Sequence, residues 1–274
     1  MAELAKTVLD DIIALRRRRI KEAQTRVPLG ELKQAAEKRS DRRDFARAIS
    51  GENLRVIAEL KRTSPSRGVL CQEYRPREMA RGYESAKASA LSVLTEKDFF
   101  GGSLEDLQAA RGAVRLPVLR KDFILDPYQV YESVAAGADA LLLIVAALPD
   151  AELRNLLGLC AHVGIAALVE VHTKAELDRA LAAEAHIIGV NNRNLRTLEV
   201  NLETSFRLRA KIPPRCLAVS ESGIKTPADL RRLSEAGFNA VLIGERFMTE
   251  ADPGKALADL VLMVSKGARP RTEQ

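Results

Sequence analysis

The sequence predicts a (β/α)8 barrel with extra helices before its first strand. Short β-branched or apolar runs alternate with longer amphipathic segments eight times from about residue 54 onward, the pattern of βα units on a parallel sheet. Residues 136–140 (AGADA) and 236–240 (AGFNA) each end a helix and begin the next apolar run, so one helix-to-strand turn is used twice. No G-x-G-x-x-G follows the first run, which disfavours the alternative of an open doubly wound sheet.

The elements follow from this alternation in chain order. The predicted strands cover residues 54–60, 90–95, 117–120, 140–145, 166–171, 187–190, 216–220 and 240–243. The predicted helices cover residues 77–87, 104–113, 128–137, 150–162, 174–183, 202–210, 227–236 and 254–264. Thr173 and Thr226 precede helical runs as N-caps, and Pro227 occupies a first helical position. Gly137 and Gly237 follow helix ends, as C-terminal caps do.

The first 50 residues lie outside the repeat and are predicted to form one or two helices. The length of 274 residues would suit two ordinary domains, but no linker is visible, so we expect a single domain over residues 1–274. Val8, Ile12 and Leu15 at helical spacing precede the run from Arg16 to Arg19, so these arginines are expected on the solvated end of an amphipathic helix. The alternative interpretation is that the run from Arg16 to Arg19 binds nucleic acid.

Composition excludes several classes of protein. The formal charge of +6 is only a weak indication of an anionic partner. The longest apolar run, residues 140–148, is far shorter than the roughly 18 residues that span a membrane. The three cysteines form no C-x-x-C pair, and the histidines at 162, 172 and 186 show no metal spacing, so they are expected to be structural or solvent-facing. We expect a cytoplasmic monomer or weak homo-oligomer that binds neither membrane nor nucleic acid.

Polar residues cluster where a barrel enzyme performs its chemistry, at the carboxyl ends of the strands. Strand 4 ends without one and contributes only apolar lining. The other strands are followed or ended by Glu59, Lys61 and Ser64, by Glu96 and Lys97, by Lys121 and Asp122, by Glu170, by Asn191 and Arg193, by Glu221, Ser222 and Gly223, and by Gly244 and Glu245.

Two glutamates and two lysines in this set indicate proton transfer. Glu59 and Glu170 interrupt apolar strands, where an unpaired charge would be costly to bury. Lys61 and Lys121 each follow a strand and are expected at the barrel mouth. A buried ion pair is one interpretation, and a tuned acid or base acting on an anionic substrate is the other.

The loops after strands 7 and 8 indicate a phosphate site. Ser222-Gly223 and Gly244 occupy the two loops in which many barrels hold a phosphate with backbone N–H groups, although turn-forming glycine is the simpler explanation. Residues 191–193 (NNR) end strand 6 as a turn, from which Arg193 could clamp a carboxylate.

Residues 57–68 (IAELKRTSPSRG) resemble the first-strand signature of the indole-3-glycerol-phosphate synthase family. Similar blocks follow in the family's order, and together they cover residues 50 to 250: LSVLTE at 91–96, PVLRKDFI at 117–124, LVEVH at 168–172, IGVNNR at 188–193, SESGI at 220–224 and VLIGE at 241–245. The resemblance implies the barrel already predicted, with its N-terminal helices near the mouth.

The resemblance also implies an activity. The family is a carboxy-lyase of tryptophan biosynthesis that converts 1-(2-carboxyphenylamino)-1-deoxyribulose 5-phosphate into indole-3-glycerol phosphate, carbon dioxide and water, with no metal or cofactor. It implies Lys121 as the general acid that protonates the ketose carbonyl, and Lys61 as the residue that holds anionic groups and assists. Glu170 and Glu59 would serve the proton transfers that accompany dehydration.

The remaining residues implied by the resemblance contact the phosphorylated substrate. Arg193 would meet the substrate carboxylate or support Glu170. Asn191 and Ser222 would orient the substrate, Gly223 and Gly244 would hold its phosphate, Phe123 would pack beside its aromatic ring, and Ser64 and Glu221 would complete the binding site.

Three rival functions remain at this stage. A phosphoribosylanthranilate isomerase shares the phosphate loops but uses a cysteine and an aspartate, which leaves Glu59 and Glu170 without a role. A Schiff-base aldolase would use Lys121 as nucleophile and needs a lysine of depressed pKa. A basic nucleic-acid-binding or scaffold module would depend on the run from Arg16 to Arg19.

Overall fold

The computed structural model describes residues 7–195 and 197–267, with side chains described up to residue 262. Its eight long strands close into a parallel barrel in which each strand pairs with the next along the chain and the first pairs with the last. The predicted (β/α)8 fold is therefore confirmed. The barrel strands are β1 Arg55–Leu60, β2 Ala90–Leu94, β3 Val118–Lys121, β4 Ala140–Ile144, β5 Ala166–Val171, β6 Ile187–Asn191, β7 Leu217–Glu221 and β8 Ala240–Ile243.

Helices alternate with these strands and form the outer layer. Each predicted barrel helix is present, with bounds that differ from the prediction by at most three residues. A short hairpin, Thr63–Ser64 with Gly68–Val69, follows β1. The helices are α1 Val8–Arg26, α2 Leu29–Lys38, α3 Phe45–Ala48, α4 Pro76–Ser85, α5 Leu104–Arg111, α6 Pro127–Ala135, α7 Asp150–Val163, α8 Lys174–Ala182, α9 Glu203–Arg209, α10 Pro227–Glu235, α11 Glu245–Met248 and α12 Pro253–Gly267.

Local signals set the helix ends as predicted. Thr226 accepts a hydrogen bond from the backbone N–H of Asp229, whose side chain accepts one from the backbone N–H of Thr226, which makes a capping box at α10. The repeated AGxxA turn has a common cause, since Gly137 and Gly237 adopt φ of 98° and 85°, a region open to glycine at little cost. Both turns lead directly into a strand.

The barrel is filled by side chains, so its interior is not a channel. Inward-facing residues of seven strands are almost completely buried: Ile57, Leu119, Leu142, Leu168, Ile187, Val219 and Leu242. A second apolar layer lies between the strands and the surrounding helices. The chemistry is therefore restricted to the ends of the barrel.

The described part of the N-terminal segment, residues 7–50, forms three helices, not the one or two predicted. Helix α3 has only four residues and starts at an Asp44 cap, which is too short for a periodic apolar pattern to reveal. Phe45 and Ile49, 1% and 0% exposed, close the floor of the barrel, where Arg55 at the start of β1 donates to the Ser50 carbonyl. Helix α2 packs on α6, and Leu9 of α1 packs within the apolar cluster of the barrel interior. The segment thus runs from the mouth to the floor.

The basic run on α1 makes specific contacts, so the prediction of a merely solvated helix end was wrong for two of its residues. Arg16 Nη2 lies 2.5 Å from Asp122 Oδ2, and Arg19 Nη2 lies 2.7 Å from Asp98 Oδ1. Both aspartates follow barrel strands at the mouth. Helical periodicity identifies the apolar face of α1, but it carries no information about distant partners that meet its polar face.

Two further observations concern the class of protein. No helix among the described residues has the length and apolar content needed to cross a bilayer. Cys71, Cys160 and Cys216 are all unpaired, and the last two are buried.

Candidate active site

The predicted site residues converge on one cavity at the carboxyl ends of the strands. This mouth cavity has a volume of about 650 Å³. Ser64 is the exception among the predicted residues, because it lines a smaller adjoining cavity together with Lys61 and Phe123. The predicted residues that line the mouth cavity are Glu59, Lys61, Lys121, Phe123, Glu170, Asn191, Arg193, Glu221, Ser222, Gly223 and Gly244.

Lys121, the last residue of β3, lies between two carboxylates from the far side of the barrel. Its Nζ is 2.8 Å from Glu170 Oε2 and 3.0 Å from Glu221 Oε2. Burial by itself would lower the pKa of Lys121, but the charges of Glu170 and Glu221 outweigh it and raise that pKa well above the ordinary value. The resting site therefore holds Lys121 as an ammonium, the form that a general acid requires.

The two glutamates that share Lys121 have opposite acidities. Burial opposes ionisation of Glu170, but Lys121 and His172 outweigh it and lower the pKa of this carboxyl. Burial raises the pKa of Glu221 to about 7 against the pull of Lys121, and the charge of Glu170 adds to the rise. A pair of carboxyls separated in this way can hold one ionised group and one that is protonated near neutral pH.

Glu59 and Lys61 form a second ion pair at the end of β1. Lys61 Nζ lies 2.8 Å from Glu59 Oε1. The side chain of Lys61 is 14% exposed and that of Glu59 is 4% exposed.

Two glycines leave the space that carboxylates inside the barrel occupy. A Cβ at Gly244 would lie 2.3 Å from Glu59 Oε1, and one at Gly189 would lie 2.1 Å from Glu221 Oε1. Gly244 was expected at the site from its loop position, whereas Gly189 lies inside β6 and no pattern in the sequence distinguishes it.

The turn after β6 places Arg193 on the rim of the mouth cavity. Asn191 Oδ1 accepts a hydrogen bond of 3.0 Å from the Arg193 backbone N–H. The guanidinium of Arg193 lies 3.1 Å from Glu245 Oε2, so in this structure Arg193 is paired with Glu245 and not with Glu170. Asn192 has a structural role, because its Nδ2 donates to the carbonyls of Glu221 and Ser222.

The loops after β7 and β8 both reach the mouth cavity, through Gly223 and Gly244. Ser222 and Gly223 are both in the left-handed region, with φ of 64° and 78°, so the chain turns sharply at the end of β7. A Cβ at Gly223 would lie 2.6 Å from Val200 Cγ1. After β8, Gly244 is the N-terminal cap of the four-residue helix α11 and lines the mouth cavity.

Comparison with known proteins identifies the family. The sequence model described as indole-3-glycerol phosphate synthase matches residues 9–260. The chain belongs to this family.

Curated relatives support the same family over nearly their whole length. The chain is 49% identical to the indole-3-glycerol phosphate synthase of Polaromonas sp. (strain JS666 / ATCC BAA-500), over 92% of this chain and 97% of that protein. It is also 49% identical to the enzyme of the same name from Mycobacterium sp. (strain KMS), over 93% and 94%. Catalysis of the family's ring closure, as a carboxy-lyase of tryptophan biosynthesis, follows from this membership.

Solved structures of lower identity share the fold. Thiamine phosphate pyrophosphorylase from Pyrococcus furiosus superposes with a TM-score of 0.59 at 17% identity, over 78% of this chain and 98% of that one. A mandelate oxidase variant superposes with a TM-score of 0.56 at 19% identity, over 78% and 71%. These similarities establish the barrel and nothing about its chemistry.

Asp122, directly after the general-acid candidate, is the hub of a buried network that sequence analysis did not assign. Its Oδ2 accepts a hydrogen bond of 2.6 Å from Thr95 Oγ1 and lies 2.9 Å from Arg120 Nη2 and 2.5 Å from Arg16 Nη2. Burial opposes ionisation, but Arg16 and Arg120 outweigh it and lower the pKa of Asp122. Alternation along a strand sends Arg120 and Lys121 to opposite faces, so this network packs behind the site.

Two further residues at the synthase site were missed. The ring of Phe100 lies 6.3 Å from that of Phe123, centroid to centroid, and both line the mouth cavity. His172, expected to be merely structural or solvent-facing, lies 3.5 Å from Glu170 Oε1 through its Nε2. The block at 168–172 includes His172 without distinguishing it from an ordinary turn residue, and Phe100 lies shortly after the block at 91–96.

Proposed function

We propose that the mouth cavity performs the family's ring closure with Lys121 as general acid and Glu170 as proton acceptor. The observation that carries this assignment is the position of Lys121 Nζ, 2.8 Å from Glu170 Oε2 and 3.0 Å from Glu221 Oε2. The lysine is charged and Glu170 is ionised, so a donor and an acceptor for protons lie side by side in one cavity.

The reaction requires two proton deliveries and one proton removal. Lys121 protonates the ketose carbonyl oxygen as the carboxylate-bearing ring carbon attacks the carbonyl carbon, and loss of carbon dioxide restores the aromatic ring. The new hydroxyl then takes a proton and leaves as water, while Glu170 accepts a proton from the carbon next to the nitrogen. Glu221 has a pKa of about 7 and can supply the proton for this second departure.

The substrate carries a phosphate, a carboxylate and an aromatic ring, and the cavity offers a surface for each. Gly223 and the start of α11 after Gly244 present backbone N–H groups to the phosphate. Lys61, after the neighbouring strand β1, supplies a cation for anionic groups of the substrate. Phe100 and Phe123 form an apolar wall for the ring, and Asn191 and Ser222 orient the ribulose hydroxyls.

Of the two roles expected for Arg193 from the sequence, we propose only one. Its ion pair with Glu245 holds it on the rim, so we assign it to the substrate carboxylate and not to support of Glu170. Ser64, in the adjoining cavity beside Lys61 and Phe123, serves to position this part of the mouth. Glu59 keeps Lys61 in place through their 2.8 Å ion pair.

The rival chemistries fit this cavity less well. The isomerase scheme needs a cysteine at the site, and none of the three cysteines lines the mouth cavity. The aldolase scheme needs a lysine that is neutral near pH 7, whereas the pKa of Lys121 is raised because nearby carboxylates outweigh the effect of burial. Borohydride treatment in the presence of substrate separates the two lysine chemistries.

We also propose that the N-terminal segment and the barrel form a single domain, because its helices contact the mouth, the side and the floor. A reducing cytoplasm suits the three unpaired cysteines. The exposed large apolar residues lie on separate segments, as in a monomer or weak homo-oligomer: Val27 and Leu29, Val69, Val200 and Leu262. Analytical ultracentrifugation at micromolar protein concentration tests the proposed oligomeric state.

The decisive experiment is an assay with the synthetic ribulose phosphate. Purified protein should release carbon dioxide and an indole chromophore in equal amounts, followed by fluorescence and absorbance. The Lys121→Ala protein, measured beside it, should bind substrate and release neither. Absence of product from the folded wild-type protein would contradict the proposal.

A further inference from the structure

His172 lies between two carboxylates at the end of β5. Its Nδ1 is 3.0 Å from Glu176 Oε2 on α8, and its Nε2 is 3.5 Å from Glu170 Oε1. The same oxygen of Glu176 accepts a hydrogen bond of 2.7 Å from the His172 backbone N–H, which fixes the position of the carboxylate relative to the ring. The Nε2 atom is buried and has no hydrogen bond of good geometry.

The charge state of the His172 imidazole determines whether its contact with Glu170 is attractive or repulsive. Glu176 accepts at Nδ1, so Nδ1 carries the proton in the neutral ring. Nε2 would then direct a lone pair at Oε1 of Glu170, and two acceptors would face each other. Only the imidazolium presents an N–H to both carboxylates. Burial by itself would lower the pKa of His172, but the hydrogen bond to Glu176 and the charge of Glu170 outweigh it and raise this pKa.

The imidazolium of His172 and the ammonium of Lys121 contact different oxygens of the Glu170 carboxylate. Lys121 Nζ lies beside Oε2 of Glu170, and His172 Nε2 lies beside Oε1. A carboxylate held at both oxygens cannot rotate freely about its last torsion, and each cation favours its ionised form. Glu170 is thus oriented by two contacts from different elements, β3 and the turn after β5.

His172 also has its own access to solvent. Together with Thr173 and Glu176 it lines a second cavity of about 910 Å³, whereas Glu170 lines only the mouth cavity. A substrate that fills the mouth therefore leaves His172 free to exchange protons with water on the other side.

We propose that His172 is a positioning residue for the synthase reaction: as an imidazolium it bridges Glu176 and Glu170, which directs Oε2 of Glu170 toward Lys121 and keeps this carboxyl ionised as the proton acceptor. The inference rests on the proposed role of Glu170. The charge of Glu221 on β7 also raises the pKa of His172. The charged residues that line the second cavity with His172 are Arg179 on α8, Arg207 on α9, Asp10 on α1 and Glu199 in the loop after β6.

The first test compares kcat and KM of the wild type and His172→Gln over pH 5.5 to 9. Glutamine keeps an amide near the Nε2 position but carries no charge, and the backbone N–H that bonds Glu176 remains. We expect kcat of the variant to be about tenfold below wild type near pH 6, because the contact that orients Oε2 of Glu170 toward Lys121 is lost; a tenfold change in rate corresponds to about 1.36 kcal/mol in barrier height. The deficit should shrink as the pH rises and His172 of the wild type loses its proton, and KM should change little.

The controls separate positioning from folding and from the proposed function. His162→Gln removes an exposed histidine on α7 and should follow the wild-type profile. A deficit in His172→Gln that is constant across the pH range would indicate a structural role alone and would overturn the inference, as would identical profiles. If the wild type itself forms no product, the proposed function fails, and not this inference alone.

A second measurement needs no variant at position 172. Carbon-13 or nitrogen-15 NMR of the imidazole rings reports their protonation directly, and His162→Gln and His186→Gln assign the two exposed rings by loss of signal. The remaining ring, His172, should be an imidazolium at pH 6.5 in the wild type and should lose its proton only above the ordinary pKa of histidine. A neutral His172 at pH 6 would overturn the inference.

Discussion

Arg16 and Asp122 lie 106 residues apart in the sequence, and their side chains meet at 2.5 Å. This ion pair holds α1 at the barrel mouth. Its aspartate directly follows Lys121 in the chain. The arginine side chain is 13% exposed and the aspartate side chain is fully buried. The N-terminal segment is therefore tied to the active site as well as to the barrel floor.

Deletion of residues 1–40 should leave a folded barrel with impaired turnover. The deletion removes α1 and α2 but keeps α3, whose Phe45 and Ile49 seal the floor. Asp122 retains Arg120 and Thr95 as partners, so the loss of Arg16 does not leave its charge alone. Circular dichroism and kcat/KM measure the two effects.

Point variants refine that test. Arg16→Ala should lower kcat/KM with the fold intact, whereas Arg18→Ala, at an exposed position of the same helix, should not. An unfolded deletion protein would mean that α1 and α2 are needed for the stability of the barrel. Wild-type kinetics in Arg16→Ala would show that its contact with Asp122 does not affect the site.

Replacement of Lys121 tests the general acid. General acid catalysis by one side chain is typically worth about 10² to 10⁴ in rate, so Lys121→Ala should lower kcat by at least about 10² with a much smaller change in affinity for a product analogue. Lys121→Arg should also fail, because a guanidinium can keep the ion pairs with Glu170 and Glu221 but does not release its proton near neutral pH.

The arginine variant is the informative one. A lysine that acts only through its charge predicts that Lys121→Arg keeps much of the activity, and that result would contradict the general-acid assignment. A borohydride-trapped adduct at Lys121 would instead indicate Schiff-base chemistry. Steady-state kinetics and mass spectrometry of the trapped protein provide the two measurements.

Replacement of Gly223 tests the phosphate cradle. A side chain there would fill the space next to Val200 and displace the loop, so Gly223→Val should raise KM for the substrate strongly. The matched control is Gly237→Val, which imposes the same backbone strain at φ of 85° on the opposite end of the barrel. Both variants should lose stability, and only the first should lose affinity for inorganic phosphate or substrate. Equal KM values in the two folded proteins would contradict the assignment of Gly223 to the phosphate site.

The stability of the protein should depend on pH through Glu221. Burial and the charge of Glu170 raise its pKa from 4.5 to about 7, so the folded protein binds this proton more tightly than the unfolded chain does. Its contribution to stability is present below pH 4.5 and is lost as the pH rises through 7, by about 3 kcal/mol at 1.36 kcal/mol per pKa unit.

Glu221→Gln removes this titration. The free energy of unfolding of the variant, relative to wild type, should therefore increase by about 3 kcal/mol between pH 4.5 and pH 8, as measured by urea denaturation. Glu235→Gln, on the exposed surface of α10, is the control for loss of a carboxyl group. A difference that does not change with pH would show that the pKa of Glu221 is not raised in the folded protein.

The sequence by itself determined the architecture and most of the site. Alternating apolar runs and amphipathic segments gave strands within one residue of their observed bounds, because burial on both sides of a parallel barrel demands continuous apolar strands. Positions at strand ends gave the mouth residues, because a closed parallel barrel brings all eight carboxyl ends to one face. Lys121 and Glu170 were found in this way, 49 residues apart in the chain.

Only the tertiary structure decided which charges pair. Nothing in the chain indicates that Arg16 meets Asp122, that Arg193 meets Glu245, or that His172 stands against Glu170. Electrostatic interactions depend on distance and burial in three dimensions, and both are set by the closure of the barrel and not by local sequence. For the same reason the opposite acidities of Glu170 and Glu221, two glutamates in similar strands, appear only when Lys121 lies between them.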